Sequence, residues 1–227
     1  MKKIALTLLA ACGLAAGTQG QTVLYSEDFT GEDGKGKIGT AAVDTVGVDW
    51  TIDVSNGDYA ASDDYLAVGE DTSGVFSVQD NDAQGTDLDS WISPTFNISG
   101  FTALEFSFDA YADGDFEATS DQFNVVFLLD SVEQSLITSS VDEAATGDPM
   151  SLNGVNASGT TLNPFTASIS GTGSIGQIRI DLGNNAAAEL YAFDNISITG
   201  VPEPGTAVLM SLGLFSVIAM RRTRRRA

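Results

Sequence analysis

The chain has 227 residues, of which 31 are acidic, 10 are basic and none is histidine. Residues 22–200 hold 30 of the acidic residues and only three basic ones, Lys35, Lys37 and Arg179, so this region repels nucleic acid and anionic membranes. The single cysteine is Cys12, and beyond it the sequence therefore excludes disulfides, Cys/His metal sites and the Ser-His and Cys-His pairs of familiar catalytic centres.

The first 20 residues are typical of a secretory signal peptide. Two lysines precede an apolar run that reaches about residue 16, and small residues follow it. This pattern predicts export through the Sec translocon and removal by a signal peptidase, after Gly17 or after Gly20. Residues 9–12 also resemble a lipoprotein box, and the alternative is an adhesin whose lipid anchor is attached to Cys12.

The region between residues 22 and 200 alternates apolar and polar side chains with the two-residue period of half-buried strands. The alternation is clearest at residues 46–54, 104–109 and 178–182. Residues 123–129 are apolar at nearly every position and predict a central strand that is covered on both faces. Further short strands are predicted at residues 23–29, 65–68, 75–78, 90–92, 136–138, 165–169 and 190–198.

Roughly ten short strands without a helical pattern predict an all-β domain, an antiparallel two-sheet sandwich of the jelly-roll kind. Such a domain, spanning residues 22–200, is long enough to bury an ample core without disulfides. Residues 139–161 are mostly polar and predict a long loop that is either functional or mobile.

A different kind of segment, residues 201–227, follows the predicted domain. It opens with Val201, Pro202, Glu203 and Pro204, where the prolines predict an interruption of regular structure because each lacks a backbone donor. Residues 205–220 carry no charge and predict a single, short transmembrane helix. Five arginines end the segment: Arg221, Arg222, Arg224, Arg225 and Arg226. The positive-inside rule predicts that they stay in the cytoplasm while the acidic domain lies outside; a core helix with a basic end is the alternative.

The order of these parts, a Pro-Glu-Pro triplet, an apolar helix and an arginine cluster, resembles the PEP-CTERM sorting signal of Gram-negative bacteria. The resemblance implies that exosortase, an integral-membrane cysteine enzyme, cuts near the triplet and releases or transfers the protein. It also implies an association with exopolysaccharide in a biofilm or floc matrix. We therefore expect a protein that is exported, transiently anchored in the inner membrane, and then found at the cell surface or in the extracellular matrix.

Residues 26–29 and 193–198 resemble the first and last strands of extracellular jelly-roll modules, including galactose-binding-like and carbohydrate-binding domains. In several such modules, acidic residues of these two strands share a structural Ca²⁺. Strand parity predicts that Glu27 and Asp194 face the core, where a carboxylate needs a partner. We therefore predict a Ca²⁺ site at Glu27 and Asp194 with Asp28; a solvated Asp194 beside a bulge is the alternative.

Three functions fit these features. The favoured one is a non-catalytic surface or matrix protein that binds polysaccharide or fills the matrix. Four tyrosines are candidates for a glycan-binding platform: Tyr59, Tyr65, Tyr111 and Tyr191. A glycoside hydrolase or lyase is the second, because two carboxylates suffice for that chemistry, although no pair stands out. The third is a protein-binding adhesin or assembly subunit.

Overall fold

The computed structural model describes residues 20–203. The predicted signal peptide, the predicted transmembrane helix and the arginine cluster lie outside the described residues. Within residues 20–203 no helix has the length and apolarity needed to cross a bilayer.

The described part of the chain is built from strands and contains no helix. The strands, in chain order, are β1 (Thr22–Glu27), β2 (Gly36–Ile38), β3 (Thr51–Asp53), β4 (Tyr65–Val68), β5 (Phe76–Gln79), β6 (Asp89–Ile92), β7 (Phe96–Asn97), β8 (Phe101–Asp113), β9 (Gln122–Leu129), β10 (Val132–Ile137), β11 (Ser139–Val141), β12 (Met150–Leu152), β13 (Val155–Asn156), β14 (Asn163–Ile169), β15 (Ile175–Gly183) and β16 (Leu190–Pro202). The prediction of an all-β domain is confirmed.

Two antiparallel sheets form the body of the domain. The first has seven strands in the order β14-β8-β16-β5-β4-β2, and β1 also pairs with β16. The second has six strands in the order β10-β9-β15-β6-β3, and β7 also pairs with β15. The two-sheet antiparallel arrangement agrees with the prediction from the strand pattern.

Apolar side chains from both sheets fill the space between them. In β8 the alternating residues Leu104, Phe106 and Phe108 are buried, as predicted. Phe193 of β16 lies in the first sheet and Trp91 of β6 in the second, and their ring centroids are 6.1 Å apart. Aromatic contacts of this kind bury a large area and join the two sheets through one core.

Two of the predicted strands differ from the structure. The alternation at residues 46–54 produces only the short strand β3. Val46 is 80% exposed because residues 46–47 form a turn before Trp50 enters the core. Strand β9 is central, between β10 and β15, but only one of its faces is fully covered: Val126 and Leu128 are half-buried. Burial of both faces is therefore wrong for this strand.

The predicted loop at residues 139–161 contains a third, three-stranded sheet, β11-β12-β13. Buried Met150 and Leu152 attach this small sheet to the main core. Its link to β8 is made by backbone hydrogen bonds, in which Ala112 donates to Ala157 and accepts from Gly159, each over 2.9 Å. The polar composition of the segment reflects a small sheet with one buried face.

The last strand continues into the proline-rich segment. Val201 and Pro202 pair with the start of β8, and the Glu203 N–H donates to the Gly100 carbonyl over 2.8 Å. The predicted interruption is therefore wrong for the first two residues of that segment. Strand β1 pairs with β16 only as far as Gly200, so Pro202 lies where β16 has lost one neighbour, a position that tolerates proline.

Candidate metal centre

Three acidic side chains meet at one end of the sandwich. Glu117, Asp121 and Glu189 each place one carboxylate oxygen within 4.8 Å of the other two. Asp121 and Glu189 are each 2% exposed, whereas Glu117 is exposed. Carboxylates so close together repel one another, and burial of two of them removes the water that would weaken this repulsion.

A single turn of chain brings Glu117 and Asp121 to the same side of the loop between β8 and β9. The N–H groups of Ser120 and Asp121 both donate to the Glu117 carbonyl, over 3.2 Å and 2.9 Å. This turn ends as β9 begins at Gln122, so the sheet fixes its position. Glu117 and Asp121, four residues apart, therefore lie next to each other in space, as residues at this spacing do on a helix.

An aromatic cluster underneath holds the two loops together. Phe116 stacks on Tyr191 with centroids 5.3 Å apart and an interplanar angle of 18°. Phe123 also contacts Tyr191, at 5.5 Å. Each of these buried rings lies one or two residues from an acidic residue of the centre. Packing of the rings thus places the β8–β9 loop against Glu189 at the start of β16.

Gly114 allows the same close approach of the backbones. Its φ is +148°, and a Cβ atom at this position would lie 2.9 Å from the Glu189 Cα and 3.0 Å from the Ala188 carbonyl oxygen. Contacts this short require a residue without a side chain. The glycine therefore sets the distance between the two loops that carry the acidic side chains.

The chain supplies few hydrogen bonds to these buried oxygens. Asp121 Oδ2 accepts from the Glu117 N–H, but Asp121 Oδ1 is buried without a hydrogen-bond partner. Glu189 Oε2 accepts from the Asn185 N–H over 3.2 Å, and the Asn185 Oδ1 atom is likewise buried without a partner. Two unpartnered buried oxygens, one in the cluster and one on a residue whose backbone N–H donates to it, are unusual, because buried polar atoms are normally hydrogen-bonded.

No basic side chain of residues 20–203 neutralises the centre. Lys35 pairs with Asp44 at 2.9 Å, and Arg179 pairs with Glu133 at 2.6 Å and with Asp181 at 2.7 Å. The remaining one, Lys37, donates to a backbone carbonyl of its own turn. The negative charge of the centre is therefore not balanced by the described part of the chain.

This environment raises the pKa of both buried carboxyl groups, Asp121 and Glu189. Burial raises the pKa of Asp121 to about 7, and the neighbouring Glu117 carboxylate contributes. Burial, followed by the charge of Asp121, raises the pKa of Glu189 to about 7. Near neutral pH each of these two carboxyl groups is therefore protonated for part of the time, and a bound cation would compete with the proton for the same oxygens.

A second buried carboxylate shows the opposite arrangement. Asp89 is completely buried, and its two oxygens accept from the backbone N–H groups of Asn56 and Gly57, over 3.1 Å and 3.0 Å, and from the Tyr59 hydroxyl, over 2.6 Å. The Asn81 side-chain amide lies at 3.4 Å. This carboxylate is held by donors of the chain itself and has no unpartnered oxygen.

A groove of about 410 Å³ adjoins the acidic centre and shares Asp121 with it. We call it the polar groove, and its polar lining consists of Asp121, Gln122, Asn124, Thr138, Ser139 and Ser140. The Ser139 hydroxyl accepts from the Phe123 N–H over 3.0 Å, and the Asn124 amide oxygen accepts from the Ser139 N–H over 3.2 Å. These hydrogen bonds fix part of the lining, whereas Ser140 is exposed.

The residues of the predicted Ca²⁺ site are not assembled in this way. Glu27, Asp28 and Asp194 do not form a group of three whose ligand oxygens all lie within 4.8 Å of one another. Each has an oxygen that accepts from a backbone N–H one or two residues further along the chain. A bulge at Asn195, where φ is +53°, shifts β16, so Asp194 no longer shares a face with Ile196. The parity argument for a core-facing Asp194 is therefore wrong.

The four candidate tyrosines do not form a surface platform. All are at most 7% exposed: Tyr59, Tyr65, Tyr111 and Tyr191. Each hydroxyl donates a hydrogen bond, for instance from Tyr191 to the Gly183 carbonyl over 3.0 Å. Tyrosine is amphipathic, and here its ring packs inside while its hydroxyl is satisfied by the chain.

Only a faint signal for the acidic centre is visible in the sequence. The spacing of Glu117 and Asp121 is visible, but acidic residues are frequent throughout this chain. Glu189 follows three alanines and adjoins a strand, which is unremarkable by itself. Only the fold reveals that these residues meet, because the two loops are far apart in the chain.

No family model matches the chain, and no curated protein matches it. Several solved structures show a distant likeness. The K3 cleaved adhesin domain of Lys-gingipain from Porphyromonas gingivalis w83 is 11% identical with a TM-score of 0.46, over 79% of this chain and 99% of that domain. The CBM22-1 xylan-binding domain of Paenibacillus barcinonensis Xyn10C is 9% identical with a TM-score of 0.37, over 81% and 97%. The family 30 carbohydrate-binding module of a Clostridium thermocellum cellulase is 12% identical with a TM-score of 0.33, over 78% and 96%.

Proposed function

We propose that this chain is an exported, non-catalytic surface or matrix protein whose β-sandwich binds neutral polysaccharide in the polar groove. The observation that carries the proposal is the lining of that groove. Its amide and hydroxyl side chains both donate and accept hydrogen bonds, as the hydroxyls of a sugar do. Part of the lining is already held by hydrogen bonds to the backbone, which lowers the entropy lost on binding.

The charge of the domain supports a neutral ligand. Residues 22–200 contain 30 acidic and three basic residues, so a polyanion such as a uronic acid polymer is repelled at a distance. A neutral polymer experiences no such repulsion. The same charge keeps neighbouring copies of the protein apart and soluble in a crowded matrix.

Burial of the acidic centre supports a non-catalytic role. Glycoside hydrolysis requires two carboxylates that reach the scissile bond from either side. Asp121 and Glu189 are close together, but both are almost fully buried, so a polymer chain cannot lie between them. This pair therefore does not support the alternative of a glycoside hydrolase or lyase.

Export and surface location rest on the two terminal segments of the sequence. The predicted signal peptide at residues 1–20 and the resemblance of residues 201–227 to a PEP-CTERM segment support secretion followed by exosortase processing. Fractionation of cells that express the full chain tests this part. We expect a shortened extracellular species that lacks the arginine cluster, and an unprocessed cytoplasmic product would contradict it.

A substitution in the polar groove tests polysaccharide binding. Ser140→Leu places a bulky apolar side chain where an exposed hydroxyl lines the groove. We expect the affinity for neutral polysaccharides, measured by affinity electrophoresis, to fall about tenfold, equivalent to about 1.4 kcal/mol. Ser26→Leu is the matched control, because Ser26 is an exposed residue of β1 in the first, seven-stranded sheet, whereas Ser140 lies in the three-stranded sheet.

Equal binding by the Ser140→Leu protein and the control would place the ligand elsewhere on the domain. Absence of binding by the parent protein to any neutral polysaccharide would overturn the proposed function.

A further inference from the structure

We propose that Glu117, Asp121 and Glu189 form a Ca²⁺ site that joins the β8–β9 loop to the start of β16. The geometry suits a single ion. Oxygens bound to one Ca²⁺ at about 2.3–2.6 Å are separated by at most about 5 Å, and the three carboxylate oxygens lie within 4.8 Å of one another. The proposal goes beyond polysaccharide binding and does not depend on it.

The unpartnered oxygen of Asp121 is an independent observation that points to a ligand. Its side chain is 98% buried, yet Oδ1 accepts no hydrogen bond from the described chain. A buried carboxylate oxygen without a donor is destabilising unless something else binds it. A cation between the carboxylates supplies that partner and removes their mutual repulsion.

We include the Asn185 amide oxygen as a neutral ligand of the same ion. Its amide oxygen is buried without a partner, and its backbone N–H already donates to Glu189. Ca²⁺ takes six to eight oxygen ligands, including amide oxygens and both oxygens of one carboxylate. Three carboxylates, one amide and the water admitted beside the exposed Glu117 can complete such a shell.

The donor set favours Ca²⁺ over other ions. Every candidate ligand is an oxygen, which suits Ca²⁺ and Mg²⁺ and not the ions that prefer nitrogen or sulfur. Mg²⁺ usually keeps several of its waters and demands an octahedral shell of short bonds. A centre in which two of three carboxylates are almost fully buried leaves little room for that water.

The ion has a consequence for the polar groove. Asp121 belongs to both the acidic centre and the groove, and the next residue, Gln122, also lines the groove. Binding of Ca²⁺ fixes Asp121, and with it the end of the loop from which the groove begins. The cation therefore acts on the shape of the groove without itself facing the polymer.

The test measures Ca²⁺ binding directly, without any polysaccharide. Protein purified from cells that express the full chain is freed of metal with a chelator and titrated with CaCl₂ alone and with MgCl₂ alone in a calorimeter. We expect one Ca²⁺ per chain and weaker binding of Mg²⁺. At a free Ca²⁺ concentration 100 times the dissociation constant, the melting temperature should rise by about 5–10 °C.

Variants separate a metal site from a merely structural cluster. Asp121→Asn combined with Glu189→Gln should lower the Ca²⁺ affinity at least 100-fold. In chelator the same double variant should melt above the parent protein, because it removes two buried charges that lack partners. Asp87→Asn, at an exposed position without a side-chain hydrogen bond, is the control and should bind Ca²⁺ as the parent does.

Absence of Ca²⁺ binding by the parent protein would overturn the proposal. Unchanged Ca²⁺ affinity in the double variant would also overturn it, by placing the ion elsewhere. If the parent protein bound Ca²⁺ but bound no neutral polysaccharide, the proposed function would be contradicted and the proposed metal site would not be affected.

Discussion

Two buried carboxylate sites in this domain are stabilised in different ways. Asp89 is surrounded by donors of its own chain: two backbone N–H groups, a tyrosine hydroxyl and a side-chain amide. Asp121 and Glu189 have one backbone donor each and face further carboxylates. Donors built into the chain make the first site self-sufficient, whereas the second needs something from solution. Asp89 is thus a structural carboxylate, whereas Asp121 and Glu189 are arranged to bind a ligand.

The largest expected effect breaks the self-sufficient site. Asp89→Ala removes the acceptor of two part-buried backbone N–H groups and of the buried Tyr59 hydroxyl. We expect the free energy of unfolding to fall by about 3 kcal/mol or more, measured by urea denaturation. Addition of CaCl₂ should not restore it. Asp87→Ala is the exposed control, and a loss below about 1 kcal/mol at Asp89 would show that its network contributes little.

The second effect concerns the site that needs a cation. Removal of Ca²⁺ should release the β8–β9 loop, residues 114–121, and expose it to limited proteolysis. If cleavage follows the population of the open loop, the rate should rise about 100-fold after chelation from a Ca²⁺ concentration 100 times the dissociation constant. The exposed segment at residues 40–49 serves as an internal control, because no candidate ligand lies there. If chelation left the cleavage rate of residues 114–121 unchanged, as it should leave that of residues 40–49, the proposal that Ca²⁺ holds the β8–β9 loop would be contradicted.

The smallest effect tests the distance between the two loops. Gly114→Ala introduces a Cβ atom 2.9 Å from the Glu189 Cα, so the loops must separate. Overpacking of this kind costs about 1–3 kcal/mol, and we expect at least a tenfold lower Ca²⁺ affinity by calorimetry. Gly159→Ala is the matched control, since its φ is also positive, at +127°, but its Cβ meets nothing within 4 Å. A similar loss in both variants would attribute the effect to backbone strain.

The sequence predicted the layers of the fold better than the site. Alternation at Leu104, Phe106 and Phe108 predicts the core face of β8 because each side chain follows the pleat. In β16 the same rule fails, since the bulge at Asn195 shifts the period and a positive φ is not visible in a pattern of polarity. Parity therefore predicts a strand reliably only while its backbone stays regular.

The site depended on contacts that no local pattern contains. Glu117 and Glu189 lie in different loops, and they meet because Phe116 stacks on Tyr191 and because Gly114 permits a close approach. Glu27 and Asp194, the predicted Ca²⁺ ligands, show that residues on paired strands do not necessarily form a site. They lie on paired strands, as expected, yet local N–H groups already occupy oxygens of both side chains.

The position of the last strand determines how this domain bears mechanical load. β16 runs through the interior of the first sheet, with β8 along one side and β5 and then β1 along the other. Tension applied at residue 203 acts along this strand and therefore across its antiparallel hydrogen bonds, which must shear together instead of opening one after another. A tail fastened to a surface would thus pull on a strand that is hydrogen-bonded along both of its sides up to Gly200, an arrangement that favours a domain that stays folded under flow.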